Sequence, residues 1–474
     1  MRRRGFNAAL GALGAAALAG CLPARRPAPE LAQAAAPAGW REPVAGSAAV
    51  EPNWWRAFGD PVLAGLVDSA LARNGDVLLA VARVDEARAQ AALAESARLP
   101  ALDAALGVQA GNRLEATGVG NSRAIQPALQ AYWEADLFGR LRAQARAANL
   151  AWRASVFERD AVALGVAAAT AQNYVALLAL DAQLVITRDT VASRAEALRL
   201  AEDQARVGYI SQLQLTQAQS EYQAVLQAVP ELELAVRRQE NAVRLLAGEL
   251  PGDVLSTTAR GAAPGQGFAR LQLPPVPGAL PSALLARRPD IAQRELLLAA
   301  SDAALAARRQ AFLPQVTLSA QLGRLFASAL DYDPVTIWSI GGSVLAPLFS
   351  GGRLDAQYEA AASQRDQAAF AYREAVLRAF SEVENALAGV PRLRRQVEHA
   401  AQRRAILARS LGYARDRYQA GYASYLEELD AQRNLYRVEL DLVTLQRTQL
   451  ENLIALYRAL GGGWHATAAV DGGR

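Results

Sequence analysis

The chain has 474 residues, of which 52% are hydrophobic but only 6% aromatic, a composition that favours long, closely packed helices over a bulky globular core. Two histidines and one cysteine leave few of the side chains that build metal centres and nucleophilic triads, so we expect no enzyme, no cofactor and no bound metal. The formal charge of +4 includes Arg2, Arg3 and Arg4; without them 47 basic residues face 46 acidic ones, so nucleic acid is not an expected partner.

The N-terminus predicts a signal peptide over residues 1–20. MRRR is a positive n-region, and the apolar stretch after it is too short to span a bilayer. The segment ends in Leu18-Ala19-Gly20-Cys21, which resembles the bacterial lipoprotein box, so we expect Cys21 to be lipidated. In that class of signals an aspartate after the cysteine favours the inner membrane, whereas Leu22 here favours the outer membrane. The alternative is an ordinary signal peptide with an incidental cysteine.

The mature chain divides at two regions of low periodicity. Residues 21–60 are predicted to hold the lipid anchor and a tether, because the stretch from Ala24 to Pro52 is rich in alanine and proline. Residues 251–281 form a connector that contains six of the 21 prolines and five glycines. Between and after these lie a first repeat (61–250), a second repeat (282–460) and a C-terminal tail (461–474).

The two halves carry the same motifs in the same order, which predicts an internal duplication. RVGYISQLQLTQAQ and QAGYASYLEELDAQ match at six of fourteen positions with an offset of 213 residues. Two further pairs are ARNGDV with ARRPDI, and DLFGRLRAQARAA with PLFSGGRLDAQYEAA; these begin at Ala72, Ala286, Asp136 and Pro347.

Each half begins with a helix, predicted over 61–98 and 281–312, that ends at a Leu-Pro pair because proline disfavours the α conformation in the residue before it. The apolar period then changes from 3.6 to 2, as in QVTLSAQLG, which predicts one β-hairpin over about 100–138 and another over about 313–349. Apolar length predicts no other transmembrane helix, so these strands would have to cross any membrane.

Two long helices follow each hairpin. The first is predicted to run from about Arg140 to Arg206, and the helices after it carry sustained heptad patterns with two apolar seams, which predicts coiled-coil packing against two neighbours. Gly208 and Gly421 lie where these helices must reverse direction. We call the two turns and the adjoining helix ends the tip.

Four strands cannot close a membrane barrel alone, since single-chain barrels begin at about eight strands. An open sheet in lipid would leave its edge N–H and C=O groups unsatisfied, so strands from several chains must complete one barrel. The alternative is a non-channel periplasmic coiled-coil scaffold lipoprotein with two surface hairpins.

These features resemble the TolC-like outer-membrane factors, in the lipoprotein branch that serves tripartite, RND-type efflux systems. The resemblance rests on the lipoprotein box, Arg287–Ile291, the LF–G–R exits at Leu137 and Leu348, and GY-S-L-(5)-DAQ near the second turn. It implies an α+β membrane protein: a homotrimer with a 12-stranded outer-membrane β-barrel continued by a 12-helix periplasmic α-barrel. An equatorial domain would be built from Trp40–Asp60, the connector and the tail.

The resemblance also implies partners. A periplasmic adaptor would dock on the tip, an inner-membrane transporter would supply the energy, and outer-membrane lipid would surround the barrel. The exported cargo, whether drugs, metals or other small molecules, is not readable from the chain.

In the family, acidic residues past the second turn form rings at the narrow end of the tunnel; alignment on Gly421 places these at Glu427 and Asp430. Three carboxylates around an axis would attract cations, while the alternative is that both are solvated helix residues. The chain departs from the family pattern at Ala423, where an arginine helps to lock the closed state, but Tyr418 remains to donate a hydrogen bond across the tip. The candidates for adaptor contact, which can equally serve to cap and reverse the helices, are Gly208, Tyr209, Ser211, Leu213, Gly421, Tyr422, Ser424 and Leu426.

Overall fold

The structure is a computed structural model, and it describes residues 23–24, 26–27, 29–32, 35–42, 50–115, 118–254, 266–278, 281–327 and 334–464. The signal peptide and Cys21 lie outside these residues. The chain forms two compact units. Unit 1 comprises residues 1–34, 83–156 and 293–374, and unit 2 comprises residues 35–82, 157–292 and 375–474.

The helices and strands follow the order that the repeat predicts, with α-helices flanking two hairpins. Short 3₁₀ helices occur at Glu30–Ala32 and Trp54–Phe58. The remaining elements are α1 (Pro61–Arg73), α2 (Gly75–Ser96), β1 (Ala101–Glu115), β2 (Gly118–Ala135), α3 (Arg140–Arg206), α4 (Gln212–Leu246), α5 (Gln266–Arg270), α6 (Pro281–Arg287), α7 (Pro289–Gln310), β3 (Gln315–Ala327), β4 (Val335–Leu345), α8 (Arg353–Gln419) and α9 (Tyr425–Ala459).

The two hairpins of unit 1 join into one antiparallel sheet with the order β1-β2-β3-β4. Its register places the apolar positions of all four strands on the same face. One row across the sheet is Leu102, Ala131, Ala320 and Ile340, and the next is Ala104, Leu129, Leu322 and Trp338. Because side chains alternate between faces, this register gives a continuous apolar face, as the period-2 pattern predicts.

The described residues of the chain leave that apolar face exposed. Ile340 is 80% exposed, Trp338 69% and Leu102 70%. The strands have 15, 18, 13 and 11 residues, each long enough to cross a bilayer in a tilted sheet. The outer strands β1 and β4 each pair with one neighbour in this sheet, so their second edges carry backbone groups that still need partners.

The helix that precedes each hairpin is broken, which corrects the prediction of continuous helices over 61–98 and 281–312. In unit 2, α1 ends at Arg73, and Oδ1 of the next residue, Asn74, accepts hydrogen bonds from the backbone of Asp76 (2.9 Å) and Val77 (3.4 Å) and so caps α2. The second break is at Arg288, which precedes Pro289 and therefore avoids the α conformation. Both breaks fall inside the repeated ARNGDV and ARRPDI motifs.

Arg288 is buried and stabilises the second break through several partners. Its guanidinium donates to Asp290 (2.6 and 2.9 Å), to Glu382 (2.7 Å) and to the backbone carbonyl of Ala459 (3.2 Å). Burial disfavours its charge, but the two carboxylates outweigh that effect and raise the pKa of Arg288. The break therefore joins the start of α7 to α8 and to the end of α9.

The described part of the N-terminal segment is not a free tether, contrary to the expectation from its composition. In unit 1 the backbone carbonyls of Ala24 and Pro27 accept hydrogen bonds from Tyr358 Oη (2.7 Å) and Arg365 Nη2 (2.8 Å). In unit 2, Glu384 accepts a hydrogen bond from the backbone N–H of Arg41 (3.0 Å). A segment without periodicity is thus fixed mainly through its main chain.

The long helices of unit 2 pack as the heptads predict. Val236 on α4 clusters with Leu177 and Leu184 on α3, and Val229 and Leu232 join the same cluster. The neighbouring seam brings Tyr436 Oη on α9 within 3.0 Å of Thr187 Oγ1 on α3. Helix α3 therefore packs against both α4 and α9, as two-seamed packing requires.

Helix α3 contains an apolar window long enough to cross a membrane, so the expectation that no further segment qualifies was wrong. The run of alanine, valine and leucine between about 161 and 180 is the reason. Half of the window is buried inside the chain, and Ala171, Val175 and Leu177 are fully enclosed. These contacts are those of a helix in a protein core.

The start of the predicted tail packs tightly against unit 2. Gly461, Gly462 and Gly463 all have positive φ angles, of 90°, 57° and 74°. A side chain at Gly461 would lie 2.0 Å from the carbonyl oxygen of Arg287, so only glycine fits. The turn delivers Trp464, whose Nε1 donates to Asp160 Oδ2 (2.9 Å).

Candidate functional site

The two turns at the tip have the same backbone geometry, so the repeated motif encodes one helix-ending turn used twice. Gly208 and Gly421 adopt φ angles of 75° and 77°, which glycine reaches without steric strain. Tyr209 N–H donates to the carbonyl of Gln204, and Tyr422 N–H to that of Arg417, both at 2.8 Å. These bonds satisfy the last carbonyls of α3 and α8, as in a Schellman motif.

The first turns of α4 and α9 differ in their caps. Ser211 Oγ accepts from Gln214 N–H (3.3 Å), and Gln214 Oε1 accepts from Ser211 N–H (3.0 Å), which is a capping box. Ser424 has the same extended backbone but makes no side-chain cap. At the position that corresponds to Gln214 stands Glu427, whose carboxylate lies 3.8 Å from Arg417 instead.

Tyr418 connects the two halves of the tip. Its hydroxyl donates to Gln204 Oε1 on α3 (2.9 Å), and its ring lies 5.7 Å from that of Tyr425 between ring centres. Burial raises the pKa of Tyr418, with a smaller contribution from Glu428, so the phenol stays protonated as the donor. This hydrogen bond is formed within the chain, and the role of Tyr418 in closing the tip stays a prediction.

Below the turns, an apolar cluster fixes the helix ends. Its buried members are Ala201 on α3, Ala218 on α4, and Tyr425 and Leu429 on α9. Exposed side chains surround it at the outermost positions of the tip: Val207, Tyr209, Leu213, Tyr422 and Leu426. An outer layer of exposed aromatic and apolar side chains on a fixed base is a surface suited to a protein partner.

Glu427 and Asp430, the acidic residues predicted to line a constriction, are both exposed at the start of α9. Asp430 accepts a hydrogen bond from Asn434 Nδ2 one turn along the helix (3.0 Å). Ala423 is half-buried, and Arg417 donates to the carbonyl of Tyr422 (3.3 Å), so an arginine from α8 braces this turn. Both carboxylates are thus exposed, with Glu427 paired to Arg417 and Asp430 bonded to Asn434.

A buried polar network beneath the turns was not predicted from the sequence. Arg194 on α3 has a side chain only 3% exposed; it donates to Gln432 on α9 and lies 4.0 Å from Glu221 on α4. Gln432 Nε2 donates in turn to the buried Glu428 (2.8 Å). A second donor to Glu428 is Arg415 Nε on α8, at 3.4 Å.

The electrostatics of this network follow from burial and pairing. Burial lowers the pKa of Arg194, and the negative charge of Glu221 partly offsets that effect. Glu221 has a lowered pKa, chiefly because Arg433 donates a hydrogen bond to its carboxylate. All four long helices thus contribute a charged or amide group to one interior cluster, and loss of any member leaves a partner unsatisfied.

A groove of about 340 Å³ opens beside the network, between α3 and the α8–α9 turn. Its walls include Glu196 and Arg199 on one side and Arg415, Tyr418 and Tyr425 on the other. The groove is therefore lined by both signs of charge and by two tyrosines. It offers hydrogen bonds to a partner. Among the described residues, no group of three or more His, Cys, Asp or Glu side chains could hold a metal ion.

Cys21, the predicted lipidation site, lies outside the described residues. The first described residue, Pro23, is held by its carbonyl, which accepts a hydrogen bond from Arg309 Nε (3.0 Å). The chain is therefore anchored to α7 two residues after the cysteine.

Comparisons with known proteins agree with this geometry. The sequence model of the family described as outer membrane efflux protein matches residues 66–249 and 280–462. The pyoverdine export outer membrane protein OpmQ of Pseudomonas aeruginosa is 33% identical over 451 residues, which cover 93% of this chain and 94% of that protein. SilC of Salmonella typhimurium, a probable outer membrane lipoprotein, is 30% identical over 87% of this chain and 88% of its own. The fold is similar to the open state of the MtrE outer membrane channel of Neisseria gonorrhoeae, with a TM-score of 0.78, 25% identity, and coverage of 93% of this chain and 98% of that one.

Proposed function

We propose, from the premise that this chain belongs to the outer membrane efflux protein family, that three copies form the passive exit duct of a tripartite efflux pump. Members of the family are outer-membrane transport channels and not enzymes. The duct would be opened at its tip by a periplasmic adaptor, while an inner-membrane transporter of the RND type supplies the energy.

The observation that carries this proposal is the four-stranded sheet with one exposed apolar face and two incomplete edges. In the hydrocarbon layer each unsatisfied backbone group costs several kcal/mol, so the outer edges of β1 and β4 must pair. Pairing β4 of one copy with β1 of the next closes a ring without any free edge. Three copies supply twelve strands, enough for a barrel with an open lumen, and the long helices α3, α4, α8 and α9 supply twelve helices for a periplasmic α-barrel.

The tip supports the gating part of the proposal. Tyr209 and Tyr422 stand exposed at the two turns, while the Tyr418–Gln204 hydrogen bond and the buried network hold the helix ends together. A partner that binds the exposed side chains and favours another helix arrangement would shift the population of the tip. We assign adaptor contact to Gly208, Tyr209, Ser211, Leu213, Gly421, Tyr422, Ser424 and Leu426.

We assign ion selection at the narrow end to Glu427 and Asp430. In a trimer each position repeats three times around the axis, and three carboxylates at a constriction attract cations and repel anions. Both side chains are exposed within one chain, as a ring-forming residue must be.

We further propose that Cys21 carries the lipid anchor. The small residues before it match the lipoprotein signal, and SilC, which is similar over most of its length, is itself a probable outer membrane lipoprotein. The hydrogen bond between Arg309 and Pro23 would hold the acylated residue close to α7.

The cargo proposed for the duct is a small molecule delivered by the transporter. OpmQ is named for pyoverdine export, and other relatives, such as TtgI of Pseudomonas putida, are named for toluene efflux. The duct itself needs only a water-filled path, so the transporter would select what passes.

Single-channel recording in planar bilayers tests the channel directly. The mature protein should give discrete conductance steps, whereas a periplasmic scaffold would give none. Ile340→Arg places a charge on the apolar face at a cost of about 2–4 kcal/mol in the membrane and should abolish insertion. Ser339→Arg, on the opposite face of the same strand, is the matched control and should retain conductance.

A further inference from the structure

Unit 1 contains a basic cavity at the point where the hairpins join the long helices. It has a volume of about 340 Å³ and is lined by three arginines and three glutamines, Arg140, Arg308, Arg353, Gln144, Gln315 and Gln357. No carboxylate is among the described residues that line it, although Glu134 pairs with Arg140 from outside the lining. The cavity therefore presents guanidinium and amide donors, and Arg308 and Arg353 supply its unneutralised charge.

The three arginines retain donors for a ligand. Arg140 donates Nη2 to both oxygens of Glu134 (2.7 Å), but its buried Nε has no hydrogen-bond partner. Arg308 and Arg353 are exposed, and neither forms an ion pair with any residue that the structure describes. Arg353 is also the first residue of α8, whose N-terminus adds to the field, whereas the N-terminus of α3 is capped by the carboxylate of Asp136.

The surroundings are those of a membrane interface. Leu348 and Phe349, five and four residues before Arg353, are 95% and 92% exposed. The exposed apolar face of the sheet ends at Val344, while its neighbour Leu345, which lines the cavity, pairs with Gln315 on the opposite face. On α7, Arg309 holds Pro23, two residues after the predicted lipidation site, while its neighbour Arg308 lines the cavity. Apolar side chains for acyl chains and arginines for a headgroup thus occur together.

We propose that this cavity binds the headgroup phosphate of an anionic phospholipid whose acyl chains lie along Leu348 and Phe349. Arginine forms bidentate hydrogen bonds with phosphate oxygens, and the glutamine amides supply further donors. The inference rests on the outer-membrane location of the protein and not on its conductance. It assigns a function to the LF–G–R motif, which is present at the end of both hairpins.

Native mass spectrometry of the detergent-solubilised mature protein tests the site. Phosphatidylglycerol is titrated into wild type, into Arg308→Gln/Arg353→Gln, and into the control Arg403→Gln/Arg409→Gln, which removes two exposed arginines of unit 2. Each arginine near a lipid phosphate contributes about fivefold in affinity, so the first variant should bind roughly thirtyfold more weakly. The control should bind like wild type.

Equal binding by all three proteins, or no binding by wild type, overturns the proposal; the second result would point to a contact between copies of the chain. Inorganic phosphate at millimolar concentration is added as a competitor, and full displacement of the lipid would overturn the lipid assignment in favour of a free-anion site. Conductance of the same samples separates this inference from the channel, because the double variant should conduct like wild type even when its lipid affinity is lost.

Discussion

Replacement of Tyr418 by phenylalanine isolates a single contact of the tip. The substitution keeps the ring that packs on Tyr425 and removes only the hydroxyl that donates to Gln204 at 2.9 Å. A hydrogen bond between neutral groups contributes about 0.5–1.5 kcal/mol, which corresponds to a population change of roughly two- to twelvefold. If this bond restrains the closed tip, the opening probability should rise by that factor.

The assay is single-channel recording in planar bilayers without adaptor, where open and closed intervals are counted directly. Tyr413→Phe is the matched control, because Tyr413 lies on the same helix, is exposed, and has no hydrogen-bond partner among the described residues. Opening probability should change in Tyr418→Phe alone. An unchanged or lower probability in that variant would refute the reasoning that this hydrogen bond restrains the tip.

Three further outcomes are expected. Glu427→Ala/Asp430→Ala should reduce cation selectivity, measured as a smaller reversal potential in a salt gradient; an unchanged potential would remove both residues from the constriction. Glu221 has a lowered pKa, so its contribution to the free energy of unfolding is full above the ordinary value of 4.5 and is lost as pH falls through the lowered pKa. Glu221→Gln should therefore reduce the loss of stability at acid pH relative to wild type. A curve of stability against pH identical to that of wild type would contradict the pairing with Arg433. Trp464→Phe removes the hydrogen bond to Asp160 and should lower the free energy of unfolding by about 1.5 kcal/mol, because Asp160 keeps Arg159 as a partner. An unchanged melting temperature would contradict a structural role for the C-terminal turn.

The spacing of apolar residues along the sequence predicted the strands and the long helices. Period-2 alternation identified strands whose apolar residues, such as Leu129 and Leu322, lie opposite each other in one sheet. Heptads identified the helix pair in which Val236 meets Leu177 and Leu184. In both cases the residues that define the pattern are also the residues that make the contact, so the spacing alone carries the information.

Features that depend on distant partners were missed. Arg194 and Glu428 are buried only because four helices approach one another around them. Both belong to helices rich in solvated charges, and from sequence alone an arginine or a glutamate is expected to be exposed. The carbonyls of Ala24 and Pro27, groups that every sequence possesses, accept hydrogen bonds from distant side chains, and Arg26 pairs with Glu359 and Asp366. The break at Asn74 depends on the carbonyl of Leu246, which accepts from Asn74 Nδ2 (3.0 Å) across the fold.

The native mass of the mature protein, extracted from outer membranes in a mild detergent, tests the shared barrel most directly. We expect a homotrimer, because the free edges of β1 and β4 must pair between copies, and acyl mass on the fragment that begins at Cys21. A stable monomer that remains folded in the membrane would rule out the shared barrel, since four strands with two open edges have no means of closing alone.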